Sequence, residues 1–262
     1  MLLIILSPAK ALDFETPLRT NEYSLPEFSE ASQELVQKLK KISISELAKI
    51  MKLSPKLAEI NQKRFKEWKL PFTLGNARQA ILAYNGDVYD GMNVSDYEKE
   101  DFKFAQKHLR ILSGLHGLLK PMDLIQPYRF EMGTPLKNSK GDDLYKFWGE
   151  RVTTALNETF KKKKDVTLIN LASEEYCQVI LRDALKVPLI SPIFKEDRNG
   201  GNYATVAFYA KKARGMMARY IIKNRITELE DIKGFKEEGY RFNAKISSES
   251  EWLFTRKVAK SI

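Results

Sequence analysis

Met1-Leu-Leu-Ile-Ile-Leu6, followed at once by Ser7-Pro8, is the stretch on which the fold turns. An unbroken apolar run bounded by a turn signal suits a buried strand, Leu2–Leu6, ended by the Ser-Pro pair. The run is far shorter than the roughly 20 apolar residues of a membrane span, and no basic region precedes it as in a secretion signal. Val166–Leu171 reads as a second buried strand, Val187–Ile190 as a third and Tyr203–Phe208 as a fourth, with Tyr240–Phe242 and Trp252–Thr255 as two more near the end.

Helical signals lie between these strands. Residues 27 to 67 read as helices: Ser43 and Glu46 have capping-box spacing, and Ser54-Pro55 places proline at a first helical position. Tyr84-Asn-Gly-Asp-Val-Tyr89 reads as a hairpin or sharp loop. Ser95 and Glu98 cap a helix expected to run to about Leu112, where Gly114 would stop it. Residues 144 to 160 form another helix, trailed by the basic run 161–164. Ser173 caps a further helix with Glu174 and Glu175 in its first turn, and a long one reaches about Arg225. Strands and helices interleave, so the class is α/β in the mixed sense, and 262 residues allow one large domain or two small ones.

Cys177 is the only cysteine, so no internal disulfide can form, which fits a reducing, cytoplasmic setting. With two histidines besides, a transition-metal site lacks ligands, and neither metal nor cofactor is expected. Lys and Arg total 44 against 34 for Asp and Glu, a net charge of +10, which suits an anionic partner as well as a solvated lysine surface.

The imbalance concentrates in Ser191–Arg225, where eight cations face only Glu196 and Asp197. On a helical wheel, Tyr209, Ala213, Met216, Met217, Tyr220 and Ile221 share one apolar arc. Lys212, Arg219 and Lys223 run along one side of it and Lys211, Arg214 and Arg225 along the other. No acid sits at i±4 to balance them, so a phosphate backbone is a natural partner; a surface helix whose acids come from elsewhere in the fold is the alternative. In Leu112-Ser-Gly-Leu-His-Gly-Leu-Leu-Lys120, two glycines three apart suit a tight turn that bares backbone N–H groups, like the hairpin of helix-hairpin-helix modules. A helix cap followed by a buried turn fits equally.

Several blocks together resemble the YaaA family of bacterial peroxide-stress proteins. They are Ile5-Leu-Ser-Pro-Ala-Lys-Ala-Leu-Asp13, Tyr84–Tyr89, Leu109–Gly133, Asn170-Leu-Ala-Ser-Glu-Glu-Tyr176 and Phe208–Ile221. His116 stands where the family usually has tyrosine. The resemblance implies a single compact domain over 1–262, of a family-specific fold with a basic cleft and a helix-hairpin-helix element near 109–124. It also implies binding of duplex or branched DNA through the backbone, and a role in limiting peroxide damage. The DNA contacts expected are Lys10, Gly114, Leu115, His116, Gly117, Lys120, Lys195, Lys211, Lys212, Arg214, Arg219, Lys223 and Arg225.

A second reading is an enzyme acting on a nucleotide or nucleobase near the strand ends. Lys10, Asp87, Arg129 and Glu131 are its candidate catalytic residues, with Asn85, Asn170, Ser173 and Glu175 nearby, because loops after strands and helix N-termini are where α/β proteins place ligands. No recognised catalytic or nucleotide-binding motif supports it. Each of these residues also has a plain role: Asp87 shaping a turn, Ser173 capping, Arg129 pairing with Glu131.

Overall fold

The computed structural model describes residues 1–161, 163–198 and 200–257. Its centre is β1 (Leu2–Leu6), buried along its whole length as its uniform apolarity requires. Parallel strands on both sides cover it: β2 (Leu109–Ser113) in the register Ile4 to Leu109, and β4 (Thr167–Leu171) in the register Ile4 to Ile169. A strand with helices over both faces has no solvent side, which is why the run does not alternate.

The chain reaches β2 through six helices. These are α1 (Ser29–Leu39), α2 (Ile44–Met51), α3 (Pro55–Glu67), α4 (Ala80–Ala83), α5 (Asp87–Met92) and α6 (Lys99–His108). The caps at Ser43 and Ser54 form as their spacing predicts, each hydroxyl accepting a backbone N–H, from Glu46 and Leu57 respectively. A three-residue turn, Lys52–Ser54, joins α2 to α3, with Lys52 left-handed at φ 52°. After β2 come β3 (Gly117–Leu119), α7 (Leu144–Phe160), β4 and the short α8 (Glu174–Cys177). Then follow β5 (Leu189–Asp197), β6 (Tyr203–Ala204), α9 (Ala207–Lys223), β7 (Arg241–Phe242) and β8 (Glu251–Lys257).

The sheet runs β7-β8-β5-β4-β1-β2-β3, with β6 paired to β5. Its five middle strands are parallel, and β7, β3 and β6 are antiparallel. Two short ladders, Ala11–Leu12 with Tyr84–Asn85 and Arg78–Gln79 with Leu124–Ile125, pin the helical part to the loops beside the sheet. No described helix is long and apolar enough to cross a membrane.

Residues 109–124 depart from the expected helix-hairpin-helix. The helix expected to reach Leu112 ends at His108, and the chain becomes β2, because pairing with β1 gives Leu109–Ser113 a fully buried site. Gly114 to Gly117 make the turn of an antiparallel hairpin into β3. Gly114, Leu115, His116 and Gly117 are all buried. Trp148 lies over Gly117, where a Cβ would strike its ring, and its indole N–H donates to the Gly114 carbonyl at 2.9 Å. His116 is fully buried, with Nδ1 3.1 Å from Ser32 Oγ, and burial pulls its pKa down to about 3, so it stays neutral. Gly117 makes room for the tryptophan and Gly114 for the Phe130–Glu131 backbone; the pair does not expose backbone to a phosphate.

Other departures are smaller. Of the two forms expected for Tyr84–Tyr89, the sharp loop holds, as a strand-to-helix corner at Gly86, and the hairpin does not. Asp101 completes the capping box with Glu98, while Ser95 lies upstream of that helix. The expected fourth strand is cut to Tyr203–Ala204 because α9 begins at Ala207. Of the basic run 161–164, Lys162 lies outside the described residues.

Candidate functional site at the carboxyl ends of the parallel strands

The connection after β1 leads to β2 on one side, whereas the chain after β4 builds outward on the other. A crevice opens beyond strand ends where connections diverge in this way. Here the two ends are Ser7 and Ser173. Ser7 Oγ accepts the Ser173 backbone N–H at 2.8 Å and lies 3.2 Å from Ser173 Oγ, which explains why Ser173 heads α8 without capping it through its side chain. The buried Tyr89 hydroxyl donates to the Ser7 carbonyl at 3.1 Å.

Two adjoining cavities occupy the crevice. One, of about 450 Å³, lies between Ser7–Ala11, Asn85–Val88, Ser173, Tyr176 and α9. The other, of about 700 Å³, lies between Lys10, the α2–α3 turn and residues 129–135. Lys10, Glu131 and Glu175 line both.

Each wall has a local cause. In 128–131, Tyr128 and Phe130 point into the core, so Arg129 and Glu131 face the crevice. Asn61 of α3, itself buried, clamps this segment from behind: its amide donates to the Arg129 carbonyl at 2.7 Å and its carbonyl accepts the Arg129 N–H at 2.9 Å. Tyr176 donates to Glu131 Oε2 at 2.8 Å. Burial, with the Glu131 charge added, holds the Tyr176 hydroxyl far above its usual range, so it keeps its proton and serves as a donor. Glu175 Oε1 accepts the Gly133 N–H at 3.0 Å. Arg129 Nε lies 3.8 Å from Glu131 Oε1, too long for a hydrogen bond, and this buried nitrogen has no hydrogen-bond partner.

The opposite wall is α9. It crosses α5 at two glycines: a Cβ on Gly91 would meet the Lys212 carbonyl, and one on Gly215 the Val88 carbonyl. That close approach sets Lys211 Nζ 3.6 Å from Asp87 Oδ2 and brings Arg214 into the smaller cavity. Arg214 is half-buried, has no carboxylate within 4.0 Å among the described residues, and burial pulls its pKa below the usual guanidinium value.

The sequence-derived candidates therefore divide. Lys10, Asp87, Arg129 and Glu131 come together at the crevice, and Lys211 and Arg214 join them. The rest of the basic stripes do not. Lys212 Nζ lies 2.6 Å from Glu238, Arg219 meets both Asp96 oxygens at 2.5 Å, and Lys223 and Arg225 meet the two oxygens of Asp101 at 2.8 and 2.7 Å. The acids missing from the helical wheel thus come from α6, from the segment before it and from the segment before β7. Burial would raise the Asp101 carboxyl, but bonds from Lys223, the Glu98 N–H and Arg225 hold it down at about 2. Lys120 and Lys195 lie away from the crevice, Lys120 beside Arg110 and Lys195 half-buried on β5. Lys49 and Lys52, exposed on the α2–α3 hairpin, reach the crevice without having been singled out. The capped helix pair was visible around them, but only the tertiary fold brings their turn opposite Lys10.

Among the described residues no group of three or more His, Cys, Asp or Glu side chains is placed to hold a metal. Cys177 is buried, and burial raises its thiol pKa.

The sequence pattern of the family described as "Peroxide stress protein YaaA" matches residues 2–246. A "UPF0246 protein" of Colwellia psychrerythraea (strain 34H) is 53% identical over 256 residues, covering 98% of this chain and 99% of the relative. One of Ralstonia pickettii (strain 12J) is 49% identical over 257 residues, covering 98% of this chain and all of the relative. The chain belongs to the peroxide stress protein YaaA family.

Proposed function

We propose that this member of a peroxide-stress family binds DNA as part of the response to hydrogen peroxide, gripping the backbone along the crevice at the strand ends. The observation that carries the reading is the convergence of six cations, Lys10, Lys49, Lys52, Arg129, Lys211 and Arg214, on adjoining cavities that hold three carboxylates, Asp87, Glu131 and Glu175. The local balance is +3, and among the described residues none of the six donates a hydrogen bond to a carboxylate; only Arg129 and Lys211 have one within 4.0 Å, at 3.8 and 3.6 Å. Cations held in this way gain when a phosphate replaces solvent, and each phosphate neutralised releases counterions. Residues 109–119 and 121–124 are buried, and Lys120, though exposed, lies away from the crevice. The helix-hairpin-helix role falls instead to α2 and α3, with Lys52 exposed in their turn and Lys49 and Lys56 exposed on the helix ends that flank it.

The test is a fluorescence titration of duplex and branched DNA across a salt series. Log affinity should fall by about 0.9 per tenfold salt for each phosphate held. Lys49→Glu with Lys52→Glu should weaken all sequences alike and flatten that slope by about 2. Lys212→Glu should change affinity little, since Lys212 is already paired with Glu238. Salt-independent binding, or a double variant that binds like the parent, overturns the reading.

A further inference from the structure

The smaller cavity has two chemically distinct ends. At one stand Arg214 and Lys211 on α9, with Lys10 at the mouth; Lys211 is shared with Asp87. Arg214 is half-buried and meets no carboxylate among the described residues, an arrangement that favours a bound anion. At the other end stands Glu131. Its Oε2 takes the Tyr176 hydroxyl, but among the described residues Oε1 accepts no hydrogen bond and has only the 3.8 Å ion pair with Arg129 Nε, a buried nitrogen without a hydrogen-bond partner. Ser7 and Ser173, with hydroxyls 3.2 Å apart, line the same cavity.

A bare phosphate would satisfy Arg214 but be repelled by Glu131, Glu175 and Asp87. A neutral base would suit Glu131 but leave Arg214 desolvated. The ligand that answers both carries an anion at one end and N–H donors at the other. The volume of about 450 Å³ lies within the range of small-molecule sites.

We infer that this cavity takes one nucleotide, its phosphate on Arg214 and Lys10 and its base edge on Glu131. A carboxylate accepts N–H donors from a base edge, and guanine offers two adjacent ones, so guanine nucleotides bind best and thymine nucleotides less well. The nucleotide comes free or as an unpaired unit extruded from a strand. The strand-borne form rests on the DNA reading above; the free form does not. Extrusion costs a few kcal/mol, least where the base is already unpaired, so strands with an unpaired nucleotide are favoured.

The test uses the full chain in two arms. In the first, calorimetry and thermal shift are run with dGMP, dTMP and inorganic phosphate. The expected result is binding in the order dGMP, dTMP, phosphate. Arg214→Met and Glu131→Gln should each lower dGMP affinity at least tenfold, and Arg214→Lys should restore part of it, which separates loss of the site from loss of the fold. Equal binding of phosphate and dGMP, or no loss in either variant, overturns the inference. In the second arm, a duplex carries one unpaired 2-aminopurine, whose emission rises when it leaves the stack. The rise is expected with the parent protein and not with Arg214→Met. Duplex binding with no such rise and no free-nucleotide binding overturns this inference and leaves the DNA reading standing. Nucleotide binding with no duplex binding does the reverse.

Discussion

Asp101→Asn tests the division of the basic residues most directly. Asp101 is buried, accepts the Glu98 N–H at 2.9 Å as a helix cap, and holds Lys223 and Arg225 on its two oxygens. Asparagine can keep the cap but not the charge. In the folded protein the carboxyl titrates near 2, against 3.8 for an unperturbed aspartate. At about 1.4 kcal/mol per pKa unit, the ionised form contributes about 2 kcal/mol at neutral pH. For a chain of this size that is a fall in Tm of roughly 4–8 °C. The sign follows from the direction of the shift. A depressed carboxyl stabilises above its unfolded value and loses that contribution as pH falls through its folded value. Urea unfolding of parent and variant should therefore differ by about 2 kcal/mol at pH 7 and by about 1 kcal/mol near pH 3. Duplex affinity, measured on the folded variant, should not fall, because Lys223 and Arg225 are released from their acid. A stability gap of equal size at both pH values would refute the ionic account, and a loss of DNA binding would return the far end of α9, with Lys223 and Arg225, to the contact surface.

Three further outcomes follow from the same geometry. Asn61→Ala removes both bonds that hold the Arg129 backbone, costing about 1–3 kcal/mol in denaturant unfolding, and it should weaken dGMP binding by calorimetry because Arg129 and Glu131 lose their support. Gly215→Ala drives a methyl into the Val88 carbonyl, a backbone atom that cannot swing aside; a loss of about 1–3 kcal/mol is expected by urea unfolding, and unchanged stability would show that the α5–α9 crossing is loose. Asp123 is buried and burial raises its carboxyl to about 6, so its ionised form weakens the fold at pH 7. Parent stability should gain from this group as pH falls from about 6 to about 4, opposite in sign to Asp101, and that component of a urea pH series should vanish in Asp123→Asn.

The sequence was legible where the deciding interactions are local or where a whole segment is apolar. β1 and β4 declare themselves by unbroken hydrophobicity, α7 by its period, and the Ser43 and Ser54 caps by contacts three residues away. It misled where a distant partner decides. Leu109–Ile111 could continue α6 on local grounds, but β1 offers it a buried parallel register. Gly114 and Gly117 resemble a phosphate-gripping turn, and only the Phe130–Glu131 backbone at the first and Trp148 at the second show what fills the space around them. Lys223 and Arg225 look unpaired on the wheel because their acid, Asp101, is more than 120 residues away in the chain.

In a chain of net charge +10, counting cations along one helix measures supply, not availability. Four cations of α9 and its end, Lys212, Arg219, Lys223 and Arg225, are consumed in holding the helix to its neighbours. The available ones are those the fold has partly desolvated without hydrogen-bonding them to an acid. Arg214 and Arg129 meet that condition, and they come from segments that share no local pattern. Both sit where diverging connections leave an opening at the ends of β1 and β4, so the sheet topology and the unspent charge point to the same crevice. Local charge density directs attention to the length of α9; the ion pairs shift it to the helix's first half, where Lys211 and Arg214 face Lys10 and Glu131. If the crevice is the working surface, neutralising Arg214 alone will cost more anion affinity than neutralising Arg219, although Arg219 is no more buried and carries the same charge.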